Sequence, residues 1–89
     1  MQSIEVKFLF EGILFTTNVH VLKARENPRL EFFVTFTTKY LIKEFGRSLR
    51  FVFENNRFSP VFSNNQKEKE LISSIQNALT NHPETSLAA

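Results

Sequence analysis

Residues 3–22 read SIEVKFLFEGILFTTNVHVL, and the way this stretch alternates decides the fold. Ile4, Val6, Phe8 and Phe10 share one face of an extended chain, with Ser3, Glu5, Lys7 and Leu9 on the other, because strand side chains repeat with period two. After Glu11-Gly12 the alternation resumes, with Ile13, Phe15, Thr17, Val19 and Val21 on a single face. A two-residue hairpin loop then sets Phe10 opposite Ile13, Phe8 opposite Phe15, Val6 opposite Thr17 and Ile4 opposite Val19. A slip of one residue would turn both apolar sets to water, so the register is strongly specified. Glutamate is not the favoured first residue of a type I′ turn, which leaves a loop longer by two residues as the alternative.

Downstream, Arg25-Glu26-Asn27-Pro28 is a turn signal, since proline cannot donate to a sheet ladder. A third strand runs from Arg29 or Leu30 to about Thr37, with Leu30, Phe32, Val34 and Phe36 alternating. Antiparallel pairing places Val21 against Phe32, Val19 against Val34 and Thr17 against Phe36. The alternation then breaks in TTKYLIKEFGRS, residues 37–48. Leu41 and Phe45 are four apart with Ile42 beside them, and Gly46 stands where a helix end favours a left-handed residue. This spacing predicts a short helix over 38–45. A continued strand is the competing reading, and it would point Leu41 and Ile42 to opposite faces.

Leu49, Phe51 and Phe53 in SLRFVFE restore the strand pattern, Asn55-Asn56 is a turn, and RFSPVF offers a last strand with Phe58 and Phe62 on one face. Pro60 restricts that strand to an edge. In QKEKELISSIQNALTNHP, residues 66–83, Leu71, Ile72, Ile75, Ala78 and Leu79 form one stripe at helical spacing. Ser63 with Gln66, or Asn65 with Glu68, supplies the residue types of a capping box. The expected architecture is α+β: an antiparallel meander of four or five strands, a short helix after the third, and a C-terminal amphipathic helix packed on one sheet face. Residues 1–81 form one domain in this reading, and 82–89 are a tail without an anchor, expected to fray.

Composition narrows the chemistry. Phenylalanine accounts for 11 of 89 residues and cysteine for none. Large rings suit a small domain short of core, because each buries on the order of 150–250 Å². Without cysteine there is no disulfide, and the opening MQSIEVKF lacks a basic segment followed by an apolar run. A cytoplasmic protein is the expectation. His20 and His82 belong to no ligand-spaced cluster, so neither a metal site nor a cofactor is expected. Gly12 and Gly46 are too few for a phosphate-cradling loop. No serine sits in a nucleophile elbow, and Glu5, Glu31, Glu44 and Glu54 are scattered. An enzyme is not expected.

What remains is binding. The second sheet face carries Leu9, Leu14, His20, Leu22, Phe33 and Val52, and one helix cannot cover both faces of a sheet. The leading expectation is a small protein-interaction domain that self-associates through this face or through an edge strand. Single-stranded nucleic acid is the alternative, held by Lys39, Lys43, Arg47, Arg50 and Arg57, with Arg50-Phe51-Val52-Phe53 placing a cation beside stacking rings. A third possibility is a small apolar ligand between sheet and helix, which requires a cavity of at least ~300 Å³ in the phenylalanine layer.

Overall fold

The computed structural model describes residues 2–24, 28–85 and 87. β1 (Gln2–Phe10) and β2 (Ile13–Lys23) form a hairpin that pairs Phe10 with Ile13, Phe8 with Phe15, Val6 with Thr17 and Ile4 with Val19. The loop is Glu11-Gly12 alone, with φ of 53° and 74°, the positive pair that a type I′ turn requires. Glu11 thus holds a position better suited to asparagine. Its carboxylate also accepts a hydrogen bond from the Tyr40 hydroxyl at 3.0 Å, which pushes the Tyr40 phenol above its ordinary range.

β3 (Leu30–Thr35), β4 (Ser48–Glu54) and β5 (Arg57–Phe58) complete a five-stranded antiparallel sheet in the order β1-β2-β3-β4-β5. Val21 faces Phe32 and Val19 faces Val34. The β2–β3 ladder stops at Asn18 and Thr35, two residues short of the expected end of the third strand. There the Phe36 N–H donates to the Arg47 carbonyl at 2.9 Å, closing the base of an excursion that contains α1 (Lys39–Phe45). Helix α1 is therefore an insertion in the β3–β4 hairpin. Leu41 on it is buried, and the Phe45 ring meets Phe10 edge-on at 5.7 Å.

The turn at Asn55-Asn56 again has two positive φ angles, 57° and 62°, and returns the chain into β5. That strand is only two residues long. The Ser59 N–H still donates to Val52, but Pro60 has no N–H to continue the ladder, so the chain leaves the sheet. Phe62 is consequently not on the core face; it is 93% exposed, which corrects the pairing of Phe58 with Phe62. Ile13, at the hairpin tip, is likewise 54% exposed, although its side chain has the parity of the inward set.

α2 (Gln66–Asn81) begins at Asn65, whose Oδ1 accepts from the N–H groups of Lys67 and Glu68 at 2.9 and 3.3 Å. Ser63 is occupied instead with the Asn65 N–H. Leu71, Ile72, Ile75 and Leu79 are buried, and the helix lies against β1 on the phenylalanine face. The core joins this stripe to Ile4, Val6, Phe8, Phe10 and Phe15 from the first hairpin and to Phe32, Val34 and Phe51 beyond it. Phe58 closes the far side, with ring centroids 6.0 Å from Phe32, 6.1 Å from Phe51 and 5.0 Å from Phe53.

Residues 82–85 are held by hydrogen bonds, and residues 86, 88 and 89 of the expected tail lie outside the described residues. The Thr85 hydroxyl lies 2.7 Å from the Leu79 carbonyl and 2.9 Å from that of His82. The Gln2 side chain donates to Glu84 at 3.3 Å. His82 Nε2 is 2.9 Å from the Glu5 carbonyl oxygen. A carbonyl only accepts, so Nε2 is the donor. Nδ1 of the same ring accepts from the Glu84 N–H at 3.1 Å, consistent with a neutral imidazole protonated on Nε2.

Candidate interaction surface

α2 and α1 join the core on the phenylalanine side, and the second sheet face is organised in rows set by strand register. Leu9 and Leu14 form a cross-strand pair at the hairpin end, 62% and 60% exposed. Next come Lys7 with Thr16, and then Glu5, Asn18, Thr35 and Ser48. Ser3, His20, Phe33 and Arg50 make the following row, and Leu22, Glu31 and Val52 the one after it. The six candidate residues therefore fall into two groups. Leu9 and Leu14 stand about 20 Å along the strand from His20 and Phe33 and about 26 Å from Leu22 and Val52, with two polar rows between.

The second group is tied together by charge. Arg50 hydrogen-bonds Glu31, and Arg29 reaches the same carboxylate oxygen at 3.2 Å. The bond from Arg50 is the main cause that holds the Glu31 carboxyl below its usual range; desolvation opposes it, and the charges of Arg50 and Arg29 reinforce it. The Arg50 guanidinium also sits 6.0 Å from the Phe33 ring centroid, at the limit of cation–π range. Phe33 is thus half-buried beneath a salt-bridged side chain, while Leu9 and Leu14 have no such cover.

The five cations proposed for nucleic acid divide between elements. Lys39 and Lys43 are on α1 and Arg47 lies in the connection to β4, whereas Arg50 and Arg57 share the second face by parity. Arg50 is already engaged with Glu31.

Ser3 Oγ and His20 Nδ1 are 2.8 Å apart, a hydroxyl–imidazole contact between residues that the hairpin register sets opposite each other. It lies on open sheet surface. Among the described residues no three His, Asp or Glu side chains gather as a metal site, and no helix is long and apolar enough to cross a membrane.

The phenylalanines of the central layer are buried together. A cavity of about 670 Å³ lies instead at the end of the sheet, walled by Val21, Leu30 and Phe53 with Lys23, Arg29 and Glu84 among its polar lining.

The outer edge of β1, the first strand of the sheet, is the remaining feature. A two-residue loop makes Phe10 and Ile13 a hydrogen-bonded pair, so the even-numbered residues of β1 turn their N–H and C=O groups toward β2. Ser3, Glu5, Lys7 and Leu9 turn theirs outward. The bond from His82 to the Glu5 carbonyl agrees with this parity. The Leu9–Leu14 pair adjoins the outer half of the same edge.

No protein-family model, curated protein or solved structure matches this chain.

Proposed function

We propose that this is a small, non-enzymatic, cytoplasmic protein-interaction domain that associates with a second copy of itself through β1 and the adjoining end of the second sheet face. The observation carrying this reading is the coincidence of an exposed leucine pair, Leu9 and Leu14, with a nine-residue edge strand. An unpaired strand edge is a template for another strand, and apolar side chains beside it add burial to the backbone bonds. The absence of cysteine fits the cytoplasm.

Light scattering across a concentration series tests the reading. The expected result is a mass that doubles with concentration, and a Leu14→Glu variant that stays monomeric. Phe33→Glu serves as the comparison at the distant end of the face. Dissociation by Phe33→Glu alone would move the interface to the Arg50 and Glu31 group. A monomer at every concentration would discard self-association and direct the search to external partners, beginning with nucleic acid on a low-salt column.

A further inference from the structure

Two observations on β1 combine: the order of charges along its outward residues, and the histidine that occupies its edge. The strand runs Gln2–Phe10, so its midpoint is Val6. When two identical strands pair antiparallel with greatest overlap, the twofold axis passes through that midpoint. Glu5 then lies opposite the partner's Lys7, and Lys7 opposite the partner's Glu5. Ser3 faces the partner's Leu9, and on the core side Ile4 meets the partner's Phe8. The outward residues are all odd-numbered, so this register also sets outward N–H and C=O groups against one another, for about eight backbone bonds in all. Shifting one copy by two residues would place Lys7 opposite the partner's Lys7, which is unfavourable.

The edge is not free along its whole length. His82 donates from Nε2 to the Glu5 carbonyl at 2.9 Å, and this oxygen is the acceptor that the partner's Lys7 N–H would take. Gln2 and Glu84 hold the same C-terminal turn beside the start of β1. The groups facing the imidazole are the Glu5 carbonyl and the Glu84 N–H, so the latch is built from main-chain contacts on both ring nitrogens.

We infer that β1 pairs antiparallel with β1 of a second copy about Val6, with Glu5 and Lys7 exchanging partners across the axis, and that His82 is an intramolecular latch competing for the Glu5 carbonyl. This rests on the self-association reading and specifies its geometry. Removing the latch strengthens the dimer, because the Glu5 carbonyl of each copy then gains its ladder bond without first giving up the bond from His82. Reversing either charge weakens the dimer, because symmetry repeats the like-charge pair twice. Reversing both restores it.

The test measures the dimer dissociation constant by sedimentation equilibrium for the full chain and for His82→Ala, Glu5→Lys, Lys7→Glu and the Glu5→Lys/Lys7→Glu double variant, with circular dichroism confirming that each is folded. His82→Ala should tighten the dimer about tenfold, either single reversal should loosen it about tenfold, and the double reversal should return to within about twofold of the parent. Single reversals without effect, or a double variant as weak as the singles, would overturn the register. A dimer unchanged by His82→Ala would overturn the latch. If the chain dimerises and Leu14→Glu or Phe33→Glu dissolves it while the charge variants do not, self-association stands and this geometry falls. If all variants stay monomeric, including His82→Ala, both fall.

Discussion

Thr17 Oγ1 donates to the carbonyl oxygen of Thr35 at 2.6 Å, one strand away and at the last residue of the β2–β3 ladder. Thr17 is the polar member of an otherwise apolar inward set and is only 2% exposed. Its hydroxyl satisfies a carbonyl at the point where β3 leaves the ladder toward α1. Thr17→Val keeps the shape and adds apolar surface but removes the donor. The expected loss is about 1–3 kcal/mol, read from urea unfolding. An unchanged midpoint would mean that the Thr35 carbonyl finds another partner.

Phe58 and Phe62 should respond unequally to truncation. Phe58 touches three rings from the short strand β5, and Phe58→Ala should cost about 2–3 kcal/mol given its partial exposure. Phe62, in solvent, should change stability by less than about 0.5 kcal/mol. Thermal melts of the two variants decide the point.

Ile75 is fully buried in the stripe of α2. Ile75→Ala should cost about 2–5 kcal/mol. Ile75→Asp, which buries an unpaired charge, should leave the domain unfolded at room temperature. Circular dichroism distinguishes the two. A folded Ile75→Asp protein would mean that the helix does not depend on the sheet.

The two tight turns make a paired prediction. Asn56 has φ of 62°, and Asn-Gly suits a type I′ turn better than Asn-Asn, so Asn56→Gly should stabilise by about 0.5 kcal/mol. Gly12 has φ of 74° with open space where a Cβ would stand. Gly12→Ala should therefore lose only the conformational preference, about 1 kcal/mol. Melting temperatures should move in opposite directions.

Glu31 makes stability depend on pH. Its folded carboxyl is held below the ordinary value, chiefly by the Arg50 hydrogen bond. Its contribution to stability is present above the unfolded carboxyl pKa and is lost as pH falls through the depressed folded value. NMR titration should show the Glu31 midpoint below the ordinary carboxylate value, and Arg50→Gln should move it upward.

How far the sequence reveals this molecule differs from element to element. The first three strands were legible because Glu11-Gly12 sets a hairpin whose parity then propagates, through Val19 and Val21, to Val34 and Phe32. The stripe of α2 was legible for the same reason at period 3.6. Phe62 was misread because alternation of side chains continues past Pro60 whereas backbone pairing does not. The anchoring of His82 lay beyond reach, since a ring nitrogen meeting a main-chain carbonyl 77 residues away leaves no pattern in residue types. The members of the second face could be named, but the ion pair between Arg50 and Glu31 emerges only when β3 and β4 are side by side.

The two borders of the sheet are unequal. β1 offers nine residues at one border, whereas β5 offers two at the other and is cut off by Pro60. A protein with one usable border can recruit one neighbour there and then has nothing left to extend. Repeated addition, the route by which open sheets grow into fibres, needs a second receptive side. A two-residue strand cut off by proline is a poor template, so assembly through the β1 border alone ends at a pair.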